Sequence, residues 1–185
     1  LTGTKVQSFD GQGRVQAVVT DRGKLPAEMV IMAVGVRPAV ELARAAGLEI
    51  GTTGAIQVDP HMRTSDPDIY AAGDCVQCVD LLTGQPCFVP LGSTANKQGR
   101  VAANNICGLE DTFPGVLGST VCKVFDYCVA RTGLTEAAAA KLGYDSVTAS
   151  APAADRAHYM PTAKPLLLKI VADKKSRRLL GVQAT

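Results

Sequence analysis

Asp74 is the residue whose type and position most clearly favour ligand chemistry. It ends the segment from Thr64 to Asp74, which reads TSDPDIYAAGD. Asp66-Pro67-Asp68 predicts a turn, because proline fixes its own φ and biases the preceding residue away from helix. The apolar run from Ile69 to Ala72 then predicts a short buried strand, and Gly73 lacks the Cβ that would hold a ligand away from the backbone. The pattern thus places a carboxylate, a strong acceptor for sugar or polyol hydroxyls, beyond the carboxyl end of a strand.

A helix with a free N-terminus is predicted shortly after Asp74. The segment from Val89 to Gly108 reads VPLGSTANKQGRVAANNICG. Pro90 and the triplet Gly92-Ser93-Thr94 are typical of a helix start, with the triplet as capping residues. The N–H groups of the first turn would stabilise negative charge in front of them. An ordinary capped surface helix is the alternative for this segment alone. The small residues predicted to allow close approach to another backbone are Gly99, Ala102 and Ala103.

Together the two segments resemble the second flavin-binding motif and the flavin-facing helix of the pyridine nucleotide-disulfide oxidoreductases. In that family the aspartate equivalent to Asp74 holds the ribityl chain of FAD. The helix points its N-terminus at the pyrimidine edge of the isoalloxazine, where negative charge builds up on reduction. The resemblance implies FAD as cofactor and NADH or NADPH as co-substrate. It implies a flavin site lined by Thr64, Ser65, Ile69, Ala72, Gly73, Asp74, Leu91, Gly92, Ser93 and Thr94.

Composition and charge limit the classes of partner. The chain has 185 residues, of which 46% are hydrophobic, and this is ample for a core. A net charge of +2 is too small to favour nucleic acid or an acidic membrane. The one basic cluster, Lys174 to Arg178, is most simply the solvated turn of a hairpin. No segment reaches about 18 consecutive apolar residues. The expectation is a soluble, cytoplasmic protein without a nucleic-acid or membrane partner.

Six cysteines, at positions 75, 78, 87, 107, 122 and 128, leave three interpretations open. Cys75 and Cys78 form a C-x-x-C, which is the spacing of a redox dithiol or of half a zinc site. No second C-x-x-C or histidine pair completes a ligand set, so no metal site is assigned. Redox pairs usually gain reactivity from a helix N-terminus, whereas this pair follows the carboxylate of Asp74. Small buried or incidental thiols are therefore favoured, with a redox pair and a metal site as alternatives.

The first third of the chain is predicted to be the end of a domain. Thr4 to Phe9 and Arg14 to Thr20 alternate like the strands of a hairpin. Met29 to Val34 is a continuous apolar run that predicts a buried strand, and Val40 to Gly47 predicts a short helix. The intervening AVGVRP segment resembles the connection from the family's NAD domain back to its FAD domain. No G-x-G-x-x-G fingerprint is present, nor is a candidate for the family's active-site cysteine.

From about Gly118 the pattern becomes that of an α+β domain. Strands are predicted at Thr120–Phe125, Tyr127–Arg131, Asp145–Ser150, Pro165–Ala172 and Arg178–Ala184, and a helix capped by Thr135 at Glu136–Leu142. The sequences CKVFDYCVARTGLTEAAAAKLGYD and DRAHYMPTAKPLLLKIVADKKSRRLLGVQAT resemble the interface domain of the same family. That resemblance implies a homodimer formed through these residues.

The expected fold class is α/β, the remnant of a flavoprotein with two dinucleotide-binding domains, followed by an α+β interface (dimerisation) domain. Residues 1–34 are expected to end the NAD-binding domain, residues 35–116 to form the C-terminal part of the FAD-binding domain, and residues 117–185 to form a truncated interface domain. The chain is accordingly expected to be a portion of a longer subunit. An intact protein of this length is the alternative.

Tyr159 is the residue for which the resemblance implies a catalytic role. The resemblance covers nearly the whole chain and favours the branch of coenzyme A-disulfide reductases, NADH oxidases and persulfide reductases. In its coenzyme A-reducing members a tyrosine at this place reaches the partner subunit's active site, where a phenol can donate a hydrogen bond to a thiolate leaving group. A core aromatic is the alternative. Met160 and Thr162 depart from the usual Tyr-Pro-Gly form, which leaves the substrate open, and His158 is expected to be solvated or structural.

Asn96 and Lys97 are implied to approach coenzyme A, with surface solvation as an equal alternative. The implied function is an FAD-dependent NAD(P)H oxidoreductase. Hydride passes to FAD, and a cysteine outside these residues then reduces a coenzyme A disulfide or persulfide. An NADH oxidase or peroxidase is the alternative enzyme. A non-catalytic dimerisation module is the alternative from another class.

Overall fold

The computed structural model describes all residues from Leu1 to Thr185, and these form two compact units, Leu1–Arg37 and Pro38–Thr185. The first unit is a three-stranded antiparallel sheet of β1 (Val6–Asp10), β2 (Ala17–Thr20) and β3 (Gly23–Pro26), in that order. The predicted hairpin is confirmed, because β1 pairs with β2. The third strand was not predicted. It follows a tight turn in which the Thr20 hydroxyl donates to the carbonyl of Gly23 at 2.7 Å.

The buried strand predicted at Met29 to Val34 is not present. These residues are irregular, and the side chains of Ile31 and Val34 are 83% and 85% exposed. A buried strand needs hydrogen-bond partners for its backbone and an apolar layer for its side chains. No strand of the chain pairs with this run. The prediction was therefore wrong: apolar composition alone does not make a strand where no pairing partner is present.

The second unit begins with α1 (Glu41–Ala45), β4 (Cys78–Val79), β5 (Pro86–Cys87) and α2 (Gly92–Ile106). Helix α1 confirms the short helix predicted from residue 40 to 47. Between α1 and β4 the chain contains only isolated bridges, such as Ile50 to Ile56 and Ile56 to Val76. Two small apolar clusters hold this segment of the chain in place. One contains Val40, Ala43 and Ile56. The other contains Met62, Val101 and Ala102.

The strand predicted from Ile69 to Ala72 is reduced to a single bridge between Arg63 and Tyr70. Ile69 is 37% exposed and Ala72 is only half-buried, so the prediction of a buried strand was wrong. The reason is again pairing, because no neighbouring strand extends the bridge. The preceding turn is confirmed, since the Asp66 carboxylate accepts a hydrogen bond from the N–H of Asp68 at 2.9 Å.

The rest of the second unit is a five-stranded antiparallel sheet with one helix. Its elements are β6 (Thr120–Val124), β7 (Tyr127–Gly133), α3 (Glu136–Lys141), β8 (Ser146–Ala154), β9 (Pro165–Asp173) and β10 (Leu179–Ala184). The strand order is β6-β7-β10-β9-β8. Every strand predicted here is confirmed, as are α3 and its cap, because the Thr135 hydroxyl accepts from the N–H of Ala138 at 3.2 Å. The basic residues 174–178 lie in the turn between β9 and β10, as predicted.

The core of this sheet lies under α3, where Ala139, Val171 and Leu180 are buried together. Strands β7 and β10 approach each other closely at two glycines. A Cβ on Gly181 would lie 2.0 Å from the carbonyl oxygen of Leu134, so no larger residue fits there. No helix in the structure combines the length and apolar character that a membrane span requires.

Candidate functional site

The chain turns at Gly73 and leaves the carboxylate of Asp74 exposed. Gly73 has a φ of +92°, in the left-handed region that favours glycine. None of the four ion pairs in the structure includes Asp74. The turn therefore presents a carboxylate that is free to accept hydrogen bonds from a ligand.

Helix α2 begins immediately after Leu91, and no side chain caps its first turn. The prediction that Gly92, Ser93 and Thr94 cap the helix was wrong, because these residues are the first ones inside it. The N-cap position just before the first helical residue is occupied by Leu91, whose side chain has no hydrogen-bond acceptor. The N–H groups of the first turn consequently lack intrahelical acceptors and carry the positive end of the helix dipole.

The buried face of α2 differs from the one predicted. Gly99 is exposed, and a Cβ there would meet nothing within 4 Å, so it makes no close approach. Ala103 is exposed as well, and only Ala102 of the three small residues is buried. Residues spaced three or four apart share one face of a helix. The buried face is formed by Thr94, Gln98, Val101, Ala102 and Asn105.

Gln98 connects α2 to the turn that carries Asp74. Its side chain is fully buried, at 0% exposure. The amide oxygen accepts from the N–H of Gly73 at 2.8 Å, and the amide nitrogen donates to the sulfur of Cys78 at 3.2 Å. The sequence interpretation missed Gln98. Its position four residues after Thr94, on the same face as Ala102, is the signal that marks it as buried.

The structure thus brings Gly73 and Asp74 to the start of α2. A Cβ on Gly73 would lie 3.6 Å from the Cβ of Ala95 in the first turn. Thr64 and Ser65 are not brought to the same place by any contact. Their hydroxyls are engaged locally, since Thr64 donates to the carbonyl of Asp66 at 3.1 Å and Ser65 accepts from the N–H of Glu49 at 3.0 Å.

Two clefts adjoin α2. A cleft of about 430 Å³ at the helix start is lined by Leu91, Gly92, Ser93, Ser119, Thr120, Val121 and Arg131. A second cleft, of about 370 Å³, runs along the helix and contains the cationic side chains of Lys97 and Arg100. Asn96 is exposed and lines neither cleft. Of the two residues predicted to approach coenzyme A, Lys97 lines a cleft and Asn96 does not.

Tyr159 lies in the loop between β8 and β9 and is 77% exposed. Its ring meets His158 edge-on, with centroids 6.1 Å apart. The exposure rules out the alternative that Tyr159 is a core aromatic of this chain. His158 is also exposed, in agreement with a solvated side chain.

The cysteines divide by burial. Cys78 is buried and Cys87 half-buried, whereas Cys107, Cys122 and Cys128 are exposed. Burial raises the pKa of the Cys78 thiol, although the hydrogen bond from Gln98 offsets part of the effect. Burial, followed by the proximity of Cys78 and Asp80, raises the pKa of Cys87 to about 11. No three His, Cys, Asp or Glu side chains come close enough together to hold a metal ion.

Comparison with known proteins identifies relatives along the whole chain. Residues 1–101 match the family model of the pyridine nucleotide-disulphide oxidoreductases, and residues 119–185 match the model of their dimerisation domain. The chain is 49% identical, over 97% of its length, to the CoA-dependent NAD(P)H sulfur oxidoreductase of Pyrococcus abyssi, and 42% identical over 96% to an NADH oxidase of Methanocaldococcus jannaschii.

A solved structure agrees with these relatives. The NAD-dependent persulfide reductase from A. fulgidus superimposes with a TM-score of 0.90 and is 45% identical, covering 100% of this chain and 34% of the larger protein. The chain spans 40% of the Pyrococcus abyssi enzyme and 39% of the Methanocaldococcus one. The expected fold class is confirmed, and the chain corresponds to a portion of its relatives.

Proposed function

The chain belongs to the pyridine nucleotide-disulphide oxidoreductase family, and from that premise we propose that it is part of an FAD-dependent NAD(P)H oxidoreductase that reduces a coenzyme A disulfide or persulfide. The observation that carries the proposal is that Gly73, in the turn that presents the exposed Asp74, lies next to the uncapped first turn of α2. The carboxylate accepts from hydroxyl groups, and the helix start favours negative charge.

The residues of the chain fit FAD at this place. A flavin cofactor combines a polyol chain with a ring system that becomes negatively charged on reduction, and so presents both groups that the site favours. Asp74 would hold the ribityl hydroxyls. The N–H groups of Gly92, Ser93 and Thr94 would lie at the ring, with Leu91, Ile69 and Ala72 beside it. When bound, FAD supplies the two-electron chemistry that links NAD(P)H to a thiol.

The protein's own contribution is to place these groups before the cofactor arrives. Gln98 holds the N–H of Gly73, and this fixes the turn that presents Asp74. The first turn of α2 keeps its N–H groups oriented without a competing side-chain cap. Donors and acceptors that are already oriented need no reorganisation when charge develops, so they stabilise the reduced state of a bound group effectively.

The division into domains is part of the proposal. Residues 1–34 end an NAD-binding domain, residues 35–116 belong to an FAD-binding domain, and residues 117–185 form the interface domain. The boundary between the two compact units, after Arg37, supports the first division. The dimerisation-domain model, which begins at residue 119, supports the second.

We also propose a homodimer formed through β6 and β7. The pairing of β6 with β7 places the exposed apolar side chains of Val124, Tyr127 and Val129 on one face of the sheet, and the 91% exposed Phe125 lies in the turn beside them. Monomeric proteins rarely expose contiguous apolar surface of this kind. A non-catalytic dimerisation module is less well supported, because the groups that fit the cofactor lie outside residues 117–185.

The names of the relatives favour a sulfur-containing electron acceptor. The relative described as a CoA-dependent sulfur oxidoreductase is 49% identical and the NADH oxidase 42%. Lys97, beside Arg100 in its cleft, offers cationic charge to the phosphates of coenzyme A. Tyr159 is proposed as a proton donor to the substrate thiolate at the partner subunit's site. The oxidase remains the second candidate because of the 42% identity.

The test is the choice of electron acceptor by the full-length protein. The enzyme is reduced anaerobically with NADH and mixed in a stopped-flow instrument with coenzyme A disulfide, coenzyme A persulfide or oxygen. Reoxidation of the bound flavin should be faster with a sulfur acceptor than with oxygen. A protein that reacts with oxygen alone would instead be an oxidase, and a protein without flavin would refute the proposal.

A further inference from the structure

The hairpin of β4 and β5 places two thiols opposite each other. Cys78 pairs with Cys87, and Val79 with Pro86. The N–H of Asp80 donates to the carbonyl of Gln85 at 2.9 Å and closes the turn. Directly opposite residues of an antiparallel pair project from the same face, with Cα atoms about 4.5 to 5.5 Å apart. A disulfide requires a Cα separation below about 7 Å, so this pair meets the requirement.

The C-x-x-C pair is placed differently. Cys75 lies in the turn that the N–H of Val76 closes on the carbonyl of Gly73 at 3.1 Å, whereas Cys78 begins β4. The two thiols therefore belong to different local structures, a turn and a strand. Cys75 packs in the cluster around Ile56, whereas Cys78 contacts Gln98. The C-x-x-C of the sequence is therefore formed by Cys75 and Cys78, whereas the two thiols that lie opposite each other in the structure are those of Cys78 and Cys87.

The surroundings of the two thiols favour their oxidised form. Cys78 is only 4% exposed, and Cys87 is half-buried. Neither has a positive neighbour that would stabilise a thiolate; the carboxylate of Asp80 instead helps to raise the pKa of Cys87. Dithiols become strong oxidants when their reduced form is stabilised, and here the hydrogen bond from Gln98 to Cys78 supplies the only such stabilisation, which burial outweighs. A disulfide between them should thus form slowly near neutral pH and resist reduction once formed.

We propose that Cys78 and Cys87 are a disulfide-forming pair that is oxidised by exchange with a low-molecular-weight disulfide. The more accessible thiolate, Cys87, attacks one sulfur of the reagent, and one small thiolate leaves as the reagent's S–S bond breaks. The Cys78 thiolate then attacks the sulfur of Cys87 and displaces the second small thiolate. Two protein thiols are oxidised, one small disulfide is reduced to two thiols, and the two protons pass to the leaving thiolates.

This bond would fasten the hairpin that precedes α2. It would also convert the sulfur that accepts the hydrogen bond from Gln98 into part of a disulfide, on the opposite side of Gln98 from Gly73. The inference does not depend on the electron acceptor of the enzyme, because it concerns two side chains of this chain alone.

The test is peptide mapping of the full-length protein after exposure to oxidised glutathione. The protein is incubated with the reagent, alkylated to block free thiols, and digested without reduction by trypsin and a protease that cleaves before aspartate. Residues 74–79 then carry Cys75 and Cys78, and residues 80–97 carry Cys87 alone. We expect the two peptides to be joined and to separate on reduction. The yield of the joined species should rise with alkaline pH, because the thiolate is the nucleophile.

Three variants identify the partners. Cys75→Ser should retain the link, whereas Cys78→Ser and Cys87→Ser should each abolish it. A loss of two hydrogens within peptide 74–79 would instead show a Cys75–Cys78 bond and overturn the proposal. Glutathione adducts on Cys87 without any link would also overturn it. In the joined species of the wild type, fragmentation shows whether the alkyl group is on Cys75 or on Cys78, so the test stands even if a variant fails to fold.

Discussion

The region from residue 38 to 116 and the sheet from residue 117 to 185 are stabilised in different ways. The sheet pairs five strands with one another and buries Val171 and Leu180 beneath α3. The earlier region contains α1 and α2, but its strands are two residues long or single bridges, and polar side chains such as Gln98 connect its parts. The turn that carries Asp74 thus lies where the backbone is irregular, whereas the sheet supplies a regular scaffold and a surface.

The same difference explains what the sequence could predict. All strands of the sheet and helix α3 were predicted, because each alternating pattern finds its pairing partner within the same stretch of chain. The apolar runs at 29–34 and 69–72 have the composition of buried strands, but pairing is a tertiary property that their residues do not encode. Length and hydrophobicity therefore predicted the wrong structure at both.

The roles of the candidate site residues stay predictions, and part of the geometry around them could not be predicted from the sequence. Asp74 and the start of α2 were identified from motif chemistry, and the structure brings Gly73, next to Asp74 in the chain, close to Ala95 in the first turn of that helix. Gln98 and the pairing of Cys78 with Cys87 were missed. Both depend on contacts between residues 25 and 9 positions apart, respectively, in the sequence. Local patterns contain no information about such pairs, whereas a C-x-x-C spacing draws attention to the wrong partner.

The largest effect is expected from a substitution in the core of the sheet. Leu180→Ala in the full-length protein should lower the free energy of unfolding by about 2 to 5 kcal/mol, because it leaves a cavity among fully buried side chains. Leu179 is exposed and lies beside it in the chain, so Leu179→Ala is the matched control, with a loss below about 1 kcal/mol. Denaturant titration of both variants measures the difference. Equal losses would mean that the sheet does not depend on the core beneath α3.

A substitution in the loop of the sheet should affect chemistry without affecting stability. Tyr159→Phe removes one phenolic hydroxyl from an exposed side chain, so fold, dimer and flavin content should be retained. If the phenol donates a proton in the partner subunit's site, reduction of coenzyme A disulfide or persulfide should slow by roughly ten- to a thousandfold. Reoxidation by oxygen should change little. Stopped-flow traces with each acceptor make the measurement, with Tyr127→Phe as the control. An unchanged rate with the sulfur acceptors would leave Tyr159 without a catalytic role.

A substitution in the irregular region should instead weaken flavin retention. Asp74→Ala removes a charged acceptor and should weaken FAD retention by about 1.5 to 3 kcal/mol, while the dimer and the sheet remain intact. Flavin content after dialysis measures retention. Asp68→Ala deletes the same charge from the exposed turn of the same segment and should retain the cofactor. Loss of flavin from both variants alike would point to general electrostatics rather than to a specific acceptor at Asp74.

The smallest expected effect concerns the connection between the two parts of the site. Gln98→Met keeps the length of the side chain but leaves the N–H of Gly73 without its acceptor, at a cost of about 1 to 3 kcal/mol if the group stays buried. Because the turn can relax toward water, the loss of stability should fall at the low end. Asp74 would then be less well positioned, and FAD should dissociate faster with its affinity reduced by less than in Asp74→Ala. Flavin release, followed by fluorescence, should be faster from Gln98→Met than from the wild type. If Gln98→Met releases flavin at the wild-type rate, the buried amide stabilises the fold without positioning the site.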